Sequence, residues 1–165
     1  MPGRDRPYCA AERWPLVSSL ERFGTLNGWG QDAHNQDTFG FHLVPTYNLI
    51  DATYTSDYVY FTSKELKAHD GSNLQQFDAE EEQIVNQYDP RRSFPFLFIN
   101  DQYTRVGDSG YSPGLIDSMD FDTLRAQVTS EAQSDATDAI KAEADLITAY
   151  ICQSTGGQPA SACAR

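Results

Sequence analysis

Residues 8–23, YCAAERWPLVSSLERF, place apolar side chains at 10, 11, 14, 17, 20 and 23, close to the spacing of a buried helical stripe. A helix that buries such a stripe needs apolar partners from the rest of the chain. Pro15 sits inside the pattern. It has no N–H and crowds the preceding turn, so a bend is predicted there. Gly24 and the polar stretch from Asn27 to Thr38 then read as a loop.

From Phe39 to Phe61 the pattern changes to strand, dense in aromatic and β-branched residues. Residues 78–88, DAEEEQIVNQY, read as a helix whose acidic first turn suits the helix dipole. Residues 94–107, FPFLFINDQYTRVG, are the clearest hairpin: an apolar run, a turn at Asn100 and Asp101, and a short second strand. Two helices follow. The first carries Phe121, Leu124 and Val128 on one face; the second, roughly 134–152, carries Ile140, Ala144, Ile147 and Ile151. Residues 153–165 read as a C-terminal loop. With no repeat, long linker or low-complexity tract, residues 1–165 are predicted to form a single α/β domain.

Nine Phe, nine Tyr and two Trp supply enough large apolar side chains to argue against a disordered chain. The formal charge of −12, from 24 acidic and 12 basic residues, argues against nucleic-acid or anionic-membrane partners. No apolar run approaches the roughly 20 residues of a membrane span, and residues 1–6 are not a signal peptide. His34, His42 and His69 stand at no metal-ligand spacing from Cys9, Cys152 or Cys163, so neither a metal nor a cofactor is expected. Three cysteines leave one pair with a single thiol, or three thiols.

The order of helix, strands, helix, then proline with a hairpin and a closing helix resembles a thioredoxin-like domain. The segments PYCAAERWPL and GGQPASAC are closer still to one uncharacterised thioredoxin-like family, with the signature C-P-Y-C-A-A-E-R-W and a C-terminal cysteine pair. The resemblance runs from about Arg6 to Cys163. It implies a central mixed sheet flanked by helices and a C-x-x-C motif at the start of the first helix. In such a motif the first thiolate attacks a disulfide and the second resolves the mixed intermediate; a helix N-terminus favours the thiolate. Cys9 falls at the resolving position. The attacking position is Arg6, which cannot attack a disulfide, so the site formed by Arg6, Pro7, Tyr8 and Cys9 is incomplete.

The resemblance further implies a cis-proline facing that site. Pro95, followed by a hairpin and then a helix, fits best, and Pro45 is the rival. A cis-proline at 95 would leave the backbone of Phe94 to pair with an extended peptide substrate, which Pro7 and Tyr8 would also touch. Glu12 reads as an acidic residue in the helix's first turn, and Trp14 as core. Cys152 and Cys163 match the family's C-terminal pair. A structural disulfide is the preferred reading, with a redox-active pair or two thiols as alternatives, and it would imply an extracytoplasmic, oxidising setting. In thioredoxin-like folds a strand runs directly into the C-x-x-C motif, and MPGRDR is too short and charged to be that strand. Two explanations compete, an upstream segment that would also carry any membrane anchor, which is preferred, or a degenerate domain. Function is therefore expected to be thiol–disulfide exchange with an incomplete site, or else peptide binding without exchange.

Overall fold

The computed structural model describes residues 7–34, 40–68 and 72–164. The first helix, α1 (Pro7–Leu20), opens on a proline whose missing N–H costs nothing in the first turn. Strands β1 (Thr25–Asn27), β2 (Gly30–His34), β3 (Val44–Asn48) and β4 (Thr53–Thr55) follow, then α2 (Ala79–Tyr88). The second half holds β5 (Phe96–Ile99), β6 (Tyr103–Val106), a single 3₁₀ turn at Pro113–Leu115, α3 (Phe121–Thr129), α4 (Asp135–Ser154) and the short α5 (Ala160–Cys163).

Unlike a surface helix with one apolar stripe, α1 is buried on nearly every side. Ala10, Ala11, Trp14 and Val17 are fully enclosed, and so are the polar flanks Glu12, Arg13 and Ser19. Trp14, with 0% of its surface exposed, packs at 4.8 Å from the Tyr47 ring and 5.0 Å from the Phe121 ring. Its indole N–H donates to the Pro45 carbonyl at 2.8 Å. Pro15 cannot donate to the Ala11 carbonyl one turn back, which would leave that acceptor without its helical partner. The Tyr111 hydroxyl, far along the chain, donates to it at 2.8 Å. A proline inside a buried helix is thus answered by one phenol from the loop before the 3₁₀ turn.

The strands form a mixed α/β architecture with small antiparallel sheets. Among the described residues they pair as three two-stranded ladders, β1 with β4, β2 with β3, and β5 with β6. This differs from the expected central mixed sheet. No strand joins the ladders among the described residues, so each strand has a ladder partner on one edge only. The segment read as a polar loop contains β2, which gains its partner from β3 through the register Gly30↔Asn48 to His34↔Val44. Strand structure between 39 and 61 shrinks to β3 and β4. The hairpin at β5–β6 has Asn100 and Asp101 both at positive φ, 45° and 57°, a conformation these side chains tolerate.

Helix starts follow their caps. The Asp78 carboxylate accepts from the Glu80 and Glu81 amides, with Glu81 reaching back to the Asp78 N–H; Ser134 and Thr137 make the equivalent box on α4. The expected stripe on α4 is buried at Ile140, Ala144, Ile147 and Ile151. Its lower half joins Phe23 and Ala162 in a second apolar cluster beneath α5. Residues 153–165, read as a loop, therefore include the end of α4 and all of α5, which ordinary helix propensity in ASAC did not signal. Among the described residues no helix is long and apolar enough to cross a membrane.

Removing the Tyr111 hydroxyl leaves the buried Ala11 carbonyl without a donor. Tyr111→Phe is expected to lose about 1–3 kcal/mol in urea unfolding, while a Pro15→Ala, Tyr111→Phe double variant recovers most of it because the helix supplies the donor again.

Candidate functional site

Cys9 lies in the first turn of α1, with 8% of its surface exposed. It lines a cleft of about 690 Å³ together with Glu12, Arg13, Leu16, Phe94 and Pro95. The Phe94–Pro95 peptide bond is cis. Pro45 lies inside β3 opposite Ala33, and its peptide bond is not among the cis bonds, the other being Gln158–Pro159. Cys9, Phe94 and Pro95, distant in sequence, thus meet at one cleft. Pro7 and Tyr8 do not line it: Pro7 is fully buried, and the Tyr8 ring packs edge-on against Phe41 at 6.4 Å. Arg6, and the expected absence of a strand over residues 1–6, lie outside the described residues.

Two buried charged groups of α1 behave in opposite ways. Arg13 Nη2 lies 2.6 Å from Glu65 Oε2 and Nη1 donates to the Thr46 hydroxyl at 3.3 Å, so a positive and a negative charge are enclosed together. Glu12, 3% exposed, shares its surroundings with a second acid. Arg105 donates to Glu143 Oε1 at 2.5 Å and, through Nε, to the Tyr103 hydroxyl at 3.1 Å. Arg105 Nε stands 3.6 Å from Glu12 Oε1, close enough for attraction but not for a hydrogen bond. Among the described residues neither Glu12 oxygen accepts one. A side chain at Gly110 would fall 2.0 Å from Glu143 Oε2, so the Glu143 carboxylate would have to move to admit one.

One guanidinium thus answers two carboxylates. Burial pushes the Glu12 carboxyl up from 4.5 to about 8, Arg105 pulls it down, and Glu143 and Asp108 add repulsion. The sequence pattern reads Glu12 as an acidic residue in the helix's first turn; it stands one turn further on, inside the protein. The available signal was weak: only a helix buried on all sides encloses the face opposite its apolar stripe, and the α1 sequence does not announce that.

Cys152, in the last full turn of α4, is disulfide-bonded to Cys163 in α5. The bond fixes α5 against α4 and completes the second apolar cluster, where both cysteines pack beside Ile147 and Ile151.

These features define a mixed α/β domain built on a buried helix, with a cleft whose lining includes a helix-start cysteine and a cis-proline strand entry. The chain belongs to the family of a domain of unknown function, DUF929, whose model matches residues 6–153. No curated protein and no solved structure matches it.

A carboxyl whose folded pKa exceeds its unfolded one supports the fold fully below the unfolded value. That support is lost as pH rises from 4.5 through about 8. The wild-type protein is expected to lose stability across that window by up to about 1.4 kcal/mol per pH unit. Glu12→Gln, neutral throughout, should flatten the dependence; urea midpoints measured across the window check it. Replacing both cysteines of the Cys152–Cys163 bond by alanine is expected to cost about 3 kcal/mol, because an 11-residue separation no longer closes a loop in the unfolded chain. Denaturation midpoints with and without reductant measure the effect, and reductant should leave the double variant unchanged.

Proposed function

We propose that this chain is a thioredoxin-like domain of the thiol–disulfide exchange type whose exchange pair is incomplete. In this reading Cys9 occupies the resolving position, Arg6 stands where the attacking thiol would be, and Pro95 is the cis-proline of the same cleft. The observation that supports this is the single cleft lined by Cys9, Phe94 and Pro95. As it stands, turnover of disulfides is weak or absent: a complete cycle needs one thiolate to form a mixed disulfide and a second to displace it. The Cys152–Cys163 bond packs in an apolar cluster, which suits a structural staple and an oxidising, extracytoplasmic setting.

A second reading, peptide binding without exchange, is favoured by the cleft itself. Its walls carry apolar Leu16, Phe96, Leu97 and Ile147, and Cys9 lies deep beside them rather than at an exposed, reactive tip.

Reduction of insulin by dithiothreitol separates the two. The wild-type chain and Cys9→Ala are expected to accelerate it little and equally. Arg6→Cys should create turnover that disappears again in the Arg6→Cys, Cys9→Ala double variant, with the introduced thiol attacking and Cys9 resolving. Silence of a folded Arg6→Cys protein would reject the exchange reading in favour of binding.

A further inference from the structure

The short helix α5 is held to the domain by very little besides its disulfide. It has four residues, and its N-cap position is Pro159, which offers no side-chain hydrogen bond. Free helices shorter than roughly 12 residues are marginal in water. Of its side chains only Ala162 is buried; Ala160 and Ser161 are exposed, and the main partner of α5 is α4. What keeps Ala160–Cys163 in place is the bond from Cys163 to Cys152, both of them only half-buried.

The rest of the fold is finished before α5 begins. Helix α4 ends in its own glycine cap. The Thr155 N–H donates to the Ile151 carbonyl at 2.9 Å and the Gly157 N–H to the Cys152 carbonyl at 2.8 Å, with Gly156 and Gly157 both at positive φ. Its last carbonyls therefore do not depend on α5. Helix α1 is fastened to α4 separately, by Arg22, which donates to the Thr148 hydroxyl at 2.8 Å and pairs with Asp145 at 2.7 Å. The family model matches only as far as residue 153, between the two cysteines. The connection to α5 is open: a Cβ on Gly156 or Gly157 would meet nothing within 4 Å. One side-chain bond crosses it, from the Thr155 hydroxyl to the Gln158 carbonyl at 2.6 Å.

Beneath α5 lies an apolar face. Ala162 closes a cluster whose other buried members are Phe23, Ile147 and Ile151. Phe23 and Ile151 keep 4% and 5% of their surface exposed, against 0% for Ile147, so they stand nearest its boundary. Taking the cover off such side chains creates a surface to which other apolar groups adhere.

We propose that the Cys152–Cys163 bond is a redox latch, opened by the dithiol of a partner protein. A thiolate of that dithiol attacks one of the two sulfurs, forms a mixed disulfide and frees the other cysteine, which takes up a proton. The dithiol's second sulfur then displaces the mixed bond and closes its own disulfide. The latch gains two electrons and two protons, and the dithiol loses them. Helix α5 then leaves α4 and the Phe23–Ile147–Ile151 cluster opens, while α1, α4 and the three ladders stay folded. Partial exposure of both cysteines makes the bond reachable without unfolding. In an oxidising setting the latch rests closed, and only a dithiol presented to it opens it. The inference does not involve exchange at Cys9, and it adds a second, open state to the stapled one.

The test uses the whole chain under native conditions, with dithiothreitol as the probe. Reduction is expected to add two hydrogens in mass at Cys152 and Cys163. Amide exchange at Ala162, Cys163 and Ala164, whose N–H groups carry the bonds of α5, should become at least about tenfold faster. Exchange in α1 and at Ile140 and Ala144 should change by no more than about twofold. Binding of an anilinonaphthalene sulfonate dye should rise several-fold and fall again after reoxidation. The Cys152→Ala, Cys163→Ala variant should show the open pattern with or without dithiothreitol. A bond that resists dithiothreitol until urea is added would overturn the latch, as would a reduced chain whose α5 amides stay protected. Faster exchange throughout the chain on reduction would overturn it too, since the bond would then support the whole fold.

Discussion

Everything in this molecule leans on the burial of α1, and that burial is possible because the helix's awkward polar groups are each met from elsewhere. Enclosing a helix on all sides removes the water that would otherwise solvate them, and each unmet group costs on the order of 1–3 kcal/mol. The Trp14 indole is met by Pro45, the Ala11 carbonyl by Tyr111, the Arg13 guanidinium by Glu65 and Thr46, and the Ala10 carbonyl by the Thr46 hydroxyl at 2.9 Å. These partners come from β3, from the segment before α2 and from the loop before the 3₁₀ turn. The polar bonds therefore do what the apolar contacts do not: they set the rotation and height of α1 relative to each neighbour. Cys9, in the first turn of the same helix, inherits that placement.

The two buried charge groups show how the same helix tolerates an exact balance in one place and an imbalance in another. Arg13 with Glu65 is a closed pair, where desolvation is offset by a short contact and an added hydroxyl. Glu12, Arg105 and Glu143 leave one negative charge over if both acids ionise, and the cheapest remedy for a buried surplus is a proton. Burial pushes the Glu12 carboxyl toward its protonated form, and no hydrogen bond among the described residues supports its charge. A neutral carboxyl beside the cleft is thus a product of one arginine being shared between two helices, α1 and α4.

Local signals carried far in the sequence and long-range ones did not. The Asn100–Asp101 turn, the Asp78 box on α2 and the isoleucine stripe on α4 are encoded within a few residues of themselves, and they stand where the pattern puts them. The pairing of β2 with β3 depends on a partner beyond a polar stretch, so Gly30 to His34 read as loop. Glu12 read as a first-turn acid that suits the helix dipole, because the neighbours that surround it, Arg105 and Glu143, leave no mark on residues 7–20. At the site, the meeting of Cys9 with Phe94 and Pro95 was legible only through resemblance, since nothing in either segment alone points to the other. Pro7 and Tyr8 read as substrate-facing from their nearness to Cys9 in sequence. On a helix, however, neighbours one and two positions apart face different directions, and the packing sends Pro7 inward and Tyr8 to Phe41.

The cleft is a second consequence of the placement of α1. Cys9, in the first turn of that helix, lines it together with residues 58–66 and with Phe94 and Pro95 at the entry to β5, so the position of the helix start sets what the cleft encloses. Much of what stands behind this lining is closed to solvent: Leu20 and Ile147 are 2% and 0% exposed. The polar bonds that fix the rotation of α1 therefore also fix which of its side chains the cleft meets, namely Cys9, Glu12, Arg13 and Leu16. Two of those four are the charged groups whose balance is settled by Glu65 and by Arg105, on other elements of the fold.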